Sequence, residues 1–133
     1  MTDIRVHSTA RMQLLDISQQ AQEAVTQSGV TTGLCNLFVT HTTAAVIVSE
    51  NWDPDVTSDL LRHLERLVPL KADYRHGEGN SQGHILSVML GTSIDIPVRE
   101  GKLALGRWQG VMLAEFDGPR DRVVVASVAP IGA

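Results

Sequence analysis

Cysteine is almost missing from this sequence: Cys35 is the only one among 133 residues. That count excludes an intrachain disulfide and a Cys-rich zinc site. The surrounding GLCNLFV reads as a strand, so a buried, inert thiol is expected there. Aromatic residues contribute 4%, which leaves Val, Leu, Ile, Ala and Met to build the core. No apolar run approaches the roughly 20 residues that a membrane-crossing helix needs. The opening MTDIRVHSTARMQ lacks the basic-then-apolar layout of a signal peptide, so a cytoplasmic protein with no membrane partner is expected. Excess positive charge is missing too. A net charge of -4 gives no reason to expect a nucleic-acid partner. Arg99, Lys102, Arg107, Arg120 and Arg122 still leave room for a local anion site.

What is present is ordinary globular material, 43% hydrophobic and 20% charged, in a length that suits a single domain spanning 1–133. Ile4, Val6 and Ser8 alternate with Arg5 and His7, which suits a strand within Asp3 to Arg11. A helix is expected from Asp16, with Gln19 as the second half of a capping box. Leu14, Ile17, Ala21, Ala24 and Val25 would share its inner side, and Gly29 would stop it. Two β-rich runs, Leu34 to Val39 and Ala44 to Val48, flank the polar Thr40-His41-Thr42-Thr43. A second helix is signposted by Asp53 as N-cap, Pro54 at the first position and Asp55 beside the positive end of the dipole. Val56, Leu60, Leu64, Leu67 and Val68 form its apolar stripe, and Pro69 ends it. Four further β-like runs, Ile85 to Leu90, Ser93 to Val98, Val111 to Phe116 and Val123 to Val128, have the spacing of an antiparallel meander. The expected class is α+β, a β-sandwich of mostly antiparallel strands with two main helices packed outside.

Polar groups gather at element ends. His41 lies between two apolar runs, where an imidazole has three open roles: metal ligand, proton donor or hydrogen-bonded structural residue. In SENWDPD, capping accounts for Asp53 but not for Glu50 or Asn51. In YRHGEGNSQGHI, His76, Glu78, Asn80 and His84 are interleaved with Gly77, Gly79 and Gly83, which reads as a flexible rim. The spacing of His76 and His84 matches no helical metal motif, and a plain glycine-rich turn competes with the functional reading. Zinc or nickel would suit several imidazoles, whereas magnesium would suit Glu50, Asp53, Asp59 or Glu78. His7 and His63 fall on surface positions and carry no expected chemistry. Trp108 is a core plug or a lid on a planar ligand, the core role being favoured. Arg107 and Arg120 have the reach to grip a phosphate.

The segments THTTAAVIVSENWDPDV, HGEGNSQGHILSVMLGTSIDIPV and GKLALGRWQGVMLAEFDGPR resemble the YjbQ-like family through nearly the whole chain. The resemblance implies a compact α+β sandwich assembled as a homotrimer, with a polar pocket near a subunit boundary. It carries over His41, Glu50, Asn51, His76, Glu78, Asn80 and His84. Of these, His41, Glu50, Asn51, Glu78 and Asn80 are the candidate catalytic groups, and His41, His76 and His84 the candidate metal ligands. Arg107 stands where relatives have a small Thr before the tryptophan. The family is sometimes named for a secondary thiamine-phosphate synthase activity. That reaction joins a hydroxymethylpyrimidine diphosphate to a thiazole phosphate, with Arg107 or Arg120 on phosphate and magnesium on the diphosphate. Two other readings stay open: metal-dependent hydrolysis by a His/carboxylate site, and a non-catalytic module binding a metal or metabolite.

Overall fold

A computed structural model describes residues 1–132. The elements run β1 (Thr2–His7), β2 (Gln13–Asp16), α1 (Ser18–Ser28), β3 (Thr32–Val39), β4 (Ala44–Glu50), α2 (Pro54–Leu67), α3 (Ser81–Leu90), β5 (Ser93–Arg99), β6 (Lys102–Leu103), β7 (Gln109–Glu115) and β8 (Asp121–Pro130). Two antiparallel sheets result, one ordered β1-β8-β3-β5-β6 and one ordered β2-β7-β4. The α+β sandwich expected from the sequence is what forms, with three helices. Among the described residues no helix is long and apolar enough to cross a membrane.

Strand alternation builds the core. Ile4 and Val6, Cys35, Leu37 and Val39, Ile96 and Val98, Val124 and Ala126 turn inward from the large sheet. Val46, Val111 and Leu113 meet them from the small sheet, together with Ile17, Ala21, Ala24 and Val25 at α1. The opposite face of the small sheet carries Ala45, Ala114 and Phe116, covered by Val68 after α2 and Leu86 of α3. Burial, then the Asp95 charge, pushes the Cys35 thiol up to about 11, so it is inert as expected.

Several local expectations are corrected. Ile85 to Leu90 is helical: Ser81 to His84 begin α3, and Gly83 packs its bare backbone against Thr43 and Phe116. A side chain at Gly83 would press on both, so this glycine serves close packing rather than a flexible rim. The other runs form no meander. Among the described residues only β5 and β6 are joined as a hairpin, while β7 crosses to the small sheet and β8 inserts between β1 and β3. The first helix starts at Ser18, because Gln13–Asp16 pairs with β7 and takes Leu14 into a strand. Asp16 then accepts the Ser18 N–H at 2.8 Å. Strand β1 ends at His7 rather than Arg11. Asp53 does cap α2, accepting the Asp55 N–H at 2.9 Å, and Gly29 ends α1 at φ 72°. Helix α3 runs along the free side of β4, where Ser87 Oγ donates to the Ala44 carbonyl and Gly91 O accepts the Val46 N–H.

Two glycines give a paired test. A methyl group at Gly33 would collide with the Ala129 carbonyl of the adjacent strand, and backbone cannot move aside cheaply. Gly77 has open space around it. Urea unfolding is expected to show Gly33→Ala losing about 2 kcal/mol or more, and Gly77→Ala changing by less than about 0.5 kcal/mol.

Candidate functional site

The base of the site is a buried ion pair. The inward phase that carries Val111 and Leu113 ends on Glu115, and the phase that carries Val124 and Ala126 begins on Arg122. Both charges therefore enter the core at one end of the sandwich, 0% and 3% exposed. Arg122 donates through Nε to Glu115 Oε1 at 2.9 Å and through Nη2 to Oε2 at 2.5 Å. Nη2 also donates to Thr43 Oγ1 at 2.8 Å. Ser8 Oγ and the Asp117 N–H complete the carboxylate, at 2.6 and 3.0 Å. Burial alone would raise the Glu115 pKa, yet these donors outweigh it and hold the carboxyl below its ordinary 4.5.

Loops on this base supply the accessible groups. His41 Nε2 accepts the Val123 N–H at 2.8 Å, which places the imidazole proton on Nδ1. Burial and the neighbouring Arg122 charge lower the His41 pKa below 6.5, against an opposing pull from Glu115. His41 is therefore a neutral ring with one N–H to offer. Asp117 Oδ2 accepts from Asn80 Nδ2 at 2.9 Å and from Arg120 Nη2 at 2.8 Å, while Arg120 Nε donates to the Asp117 carbonyl. Because a carboxylate only accepts, this contact fixes the Asn80 amide orientation. Asn80 Oδ1 is buried without a partner. A cleft of about 370 Å³ lies over these groups, lined by His41, Thr42, Glu78, Asn80, His84 and Arg120 among others. It shares His41 and His84 with a more apolar cavity of about 710 Å³ that reaches Phe38 and Val88.

The residues singled out in the sequence divide. His41, Glu78, Asn80, His84 and Arg120 share the cleft. His76 stands beside it, its ring edge-on to His84 at 5.2 Å and 3.8 Å from a Glu78 oxygen. Glu50, Asn51 and Arg107 do not join them. Ala44 is registered with Glu115, whereas Glu50 is registered with Gln109, so β4 separates the two sets by roughly 20 Å. There Asn51 Nδ2 donates to Asp16 at 2.5 Å, Arg107 lies 4.8 Å from the Trp108 ring centre, and Glu50 Oε2 is buried and unpaired. Trp108 is no core plug: it is 52% exposed and meets Trp52 edge-to-face at 5.9 Å. Sequence reading named Arg122 only among the cations open to a local anion site, and gave Ser8, Thr43, Glu115 and Asp117 no role in it. Alternation held the signal, since charges on the inward phase of two strands must find partners.

As a resident metal centre the cleft residues of one chain do not fit. Among the described residues no three of His, Cys, Asp or Glu are grouped to hold an ion. His41, moreover, spends its lone pair on Val123 and turns a proton, not a ligand atom, to its surroundings.

A sequence profile described as UPF0047 protein YjbQ-like matches residues 2–130. The chain belongs to this family. It is 41% identical to UPF0047 protein MJ1081 of Methanocaldococcus jannaschii, over 89% of this chain and 86% of that one. It is 38% identical to UPF0047 protein YugU of Bacillus subtilis, over 90% and 91%. Among solved structures, an uncharacterised family member from Clostridium acetobutylicum superposes with a TM-score of 0.95, 42% identity and coverage of 97% and 100%. The hypothetical protein APE1520 from Aeropyrum pernix gives 0.92, at 31% identity and 98% coverage of both chains. The family's sandwich and this chain's sandwich are one fold.

Two outcomes follow from the buried groups. Arg122→Met strands the Glu115 carboxylate and should cost about 3–5 kcal/mol in urea unfolding at neutral pH. Both His41 and Glu115 have lowered folded pKa values, so the unfolded chain takes up protons first. Stability should therefore be full above 6.5 and fall in two stages, as pH drops through the lowered His41 value and then, below 4.5, through that of Glu115. NMR should give His41 a midpoint below 6.5, and Glu115→Gln should flatten the acid stage and, by removing the opposing pull, move the His41 midpoint further down.

Proposed function

We propose that the cleft is the active site of a small-molecule enzyme whose substrate carries a phosphate or a comparable anion. The observation that carries this reading is the His41 hydrogen bond: Nε2 is taken by Val123, so the ring presents an N–H donor. Arg120 stands in the same cleft with Nε and Nη2 committed to Asp117, which leaves Nη1 for a ligand. A neutral imidazole N–H and a guanidinium, both anchored on a buried network, suit an oxyanion. His41 acts here as a hydrogen-bond donor to developing charge, since its lone pair is not free to serve as base. Glu78 and His84 are the groups left in the cleft to move a proton.

Thiamine-phosphate synthesis is one reaction of this class. The departing diphosphate would lie against Arg120 and His41, and any magnesium would arrive with the substrate. Hydrolysis at a resident metal is less well supported, for the ligand reasons given above. A binding module without turnover would use the same contacts. The chain acts as a homotrimer in this reading. Large apolar side chains left in the open support that assembly: Phe38, Val88 and Met89 near the cleft, Trp52 and Trp108 at the far end.

Isothermal titration with inorganic phosphate tests the anion site. A charge-assisted hydrogen bond contributes about 1.5–3 kcal/mol, so Arg120→Ala and His41→Ala should each weaken binding by about tenfold or more. Unchanged affinity in both variants would overturn the site. Light scattering should give a particle three times the 14.4 kDa chain.

A further inference from the structure

The anion cleft is not lined by donors alone. Arg122 is spent on Glu115, and Arg120 donates through Nη2 to the Asp117 carboxylate, so each guanidinium is already matched by an acid. The anchored donors left for a ligand are Arg120 Nη1 and the His41 N–H. Acceptors stand beside them. Asp117 Oδ2 takes two donors, Asn80 Nδ2 at 2.9 Å and Arg120 Nη2 at 2.8 Å, while Oδ1 has no partner among the described residues. The Asp117 side chain is 20% exposed and Oδ1 keeps contact with solvent, so a ligand in the cleft can reach it. Glu78 is 75% exposed at the same cleft, and at 3.8 Å from His76 it makes no hydrogen bond. Asn80 Oδ1 is a third bare acceptor in the lining: with Nδ2 tied to Asp117, this side chain makes no cap bond to α3. Ionised carboxylates accept and never donate.

We infer that the cleft selects an oxyanion that brings its own proton, a phosphate or phosphonate group with one P–OH, and rejects proton-free anions such as sulfates and sulfonates. The inference rests on the anion site proposed above and narrows its ligand. Bare oxygens of the ligand lie on Arg120 Nη1 and the His41 N–H, and the P–OH donates to Asp117 Oδ1, with Glu78 as the second acceptor. Asp117 cannot turn aside, because Asn80 and Arg120 hold its other oxygen. A sulfonate of the same shape would set lone pairs against that fixed oxygen, with no donor to offer it. Sites built around one particular hydrogen bond reject the analogue that lacks it strongly, since the buried or half-buried partner is then left unpaired. Diesters of phosphate fail by the same rule. A phosphate monoester, whose second pKa is about 6 in water, enters as its monoanion. The low net charge of that form also suits a cleft whose guanidinium groups are already matched.

Isothermal titration at neutral pH with methylphosphonate and with methanesulfonate tests the selection. The two share a tetrahedral shape and, as monoanions, a charge, and they differ in the P–OH proton. Methylphosphonate should bind at least about tenfold more tightly. Asp117→Asn offers an amide in place of the fixed acceptor and should shrink that ratio at least about threefold. Glu78→Gln, at an exposed position where folding is undisturbed, should shrink it as well by a smaller factor. Equal binding of the two anions by the unaltered protein overturns the selection and leaves the anion site standing. A ratio that is unchanged in both variants overturns the assignment to these acceptors. Failure of methylphosphonate to bind overturns the selection too, and titration with inorganic phosphate then shows whether the anion site falls with it.

Discussion

The Glu115–Arg122 pair is the constraint around which this end of the molecule is arranged. A carboxylate and a guanidinium on facing inner surfaces cannot be left alone in a medium of low polarity. Their demand recruits Ser8 from the turn after β1, Thr43 from the loop before β4 and the Asp117 backbone. Three loops distant in sequence are thereby tied to one point. Arg120 also donates its backbone N–H to Ser8 Oγ, so the tightly packed Gly118-Pro119 turn belongs to the same knot. What stands above the knot inherits its rigidity: His41, Asn80, Asp117 and Arg120 are aimed by groups that cannot shift without unpairing a buried charge. Rigid aim of this kind is what a site gains from a costly polar base.

Legibility in the sequence followed periodicity closely. The strands with clean alternation, β1, β3, β5 and β8, were readable within a few residues, as were the Asp53-Pro54 start of α2 and the Gly29 stop of α1. The α3 segment was not. ILSVML has the composition of a strand, and the helix is imposed by packing of Gly83 on Thr43 and Phe116 and of Leu86 on the small sheet rather than by local preference. Short β2 was hidden because QLLD acquires its state from pairing with β7. Half of the site was visible as histidines and amides at element ends. The other half hid as two ordinary charged residues within apolar strands, and only the phase of those strands distinguishes them. The separation of Glu50 from His41 was beyond any local pattern, since it depends on which end of β4 each occupies.

The family relationship accounts for the fold and leaves the chemistry to be read from the residues. That reading turns on the state of one ring. A histidine met in sequence is a ligand, an acid, a base or a structural group. Here a backbone N–H occupies one nitrogen, and burial with a nearby guanidinium keeps the ring neutral. The remaining role is donation.

Helix α3 has a consequence outside the cleft. By laying Ser87 and Gly91 along the outer border of β4, it occupies hydrogen-bonding positions that an extended foreign segment would need. The small sheet cannot be lengthened on that side by strand addition. That border therefore gives no template for fibrous growth through a continuous ladder.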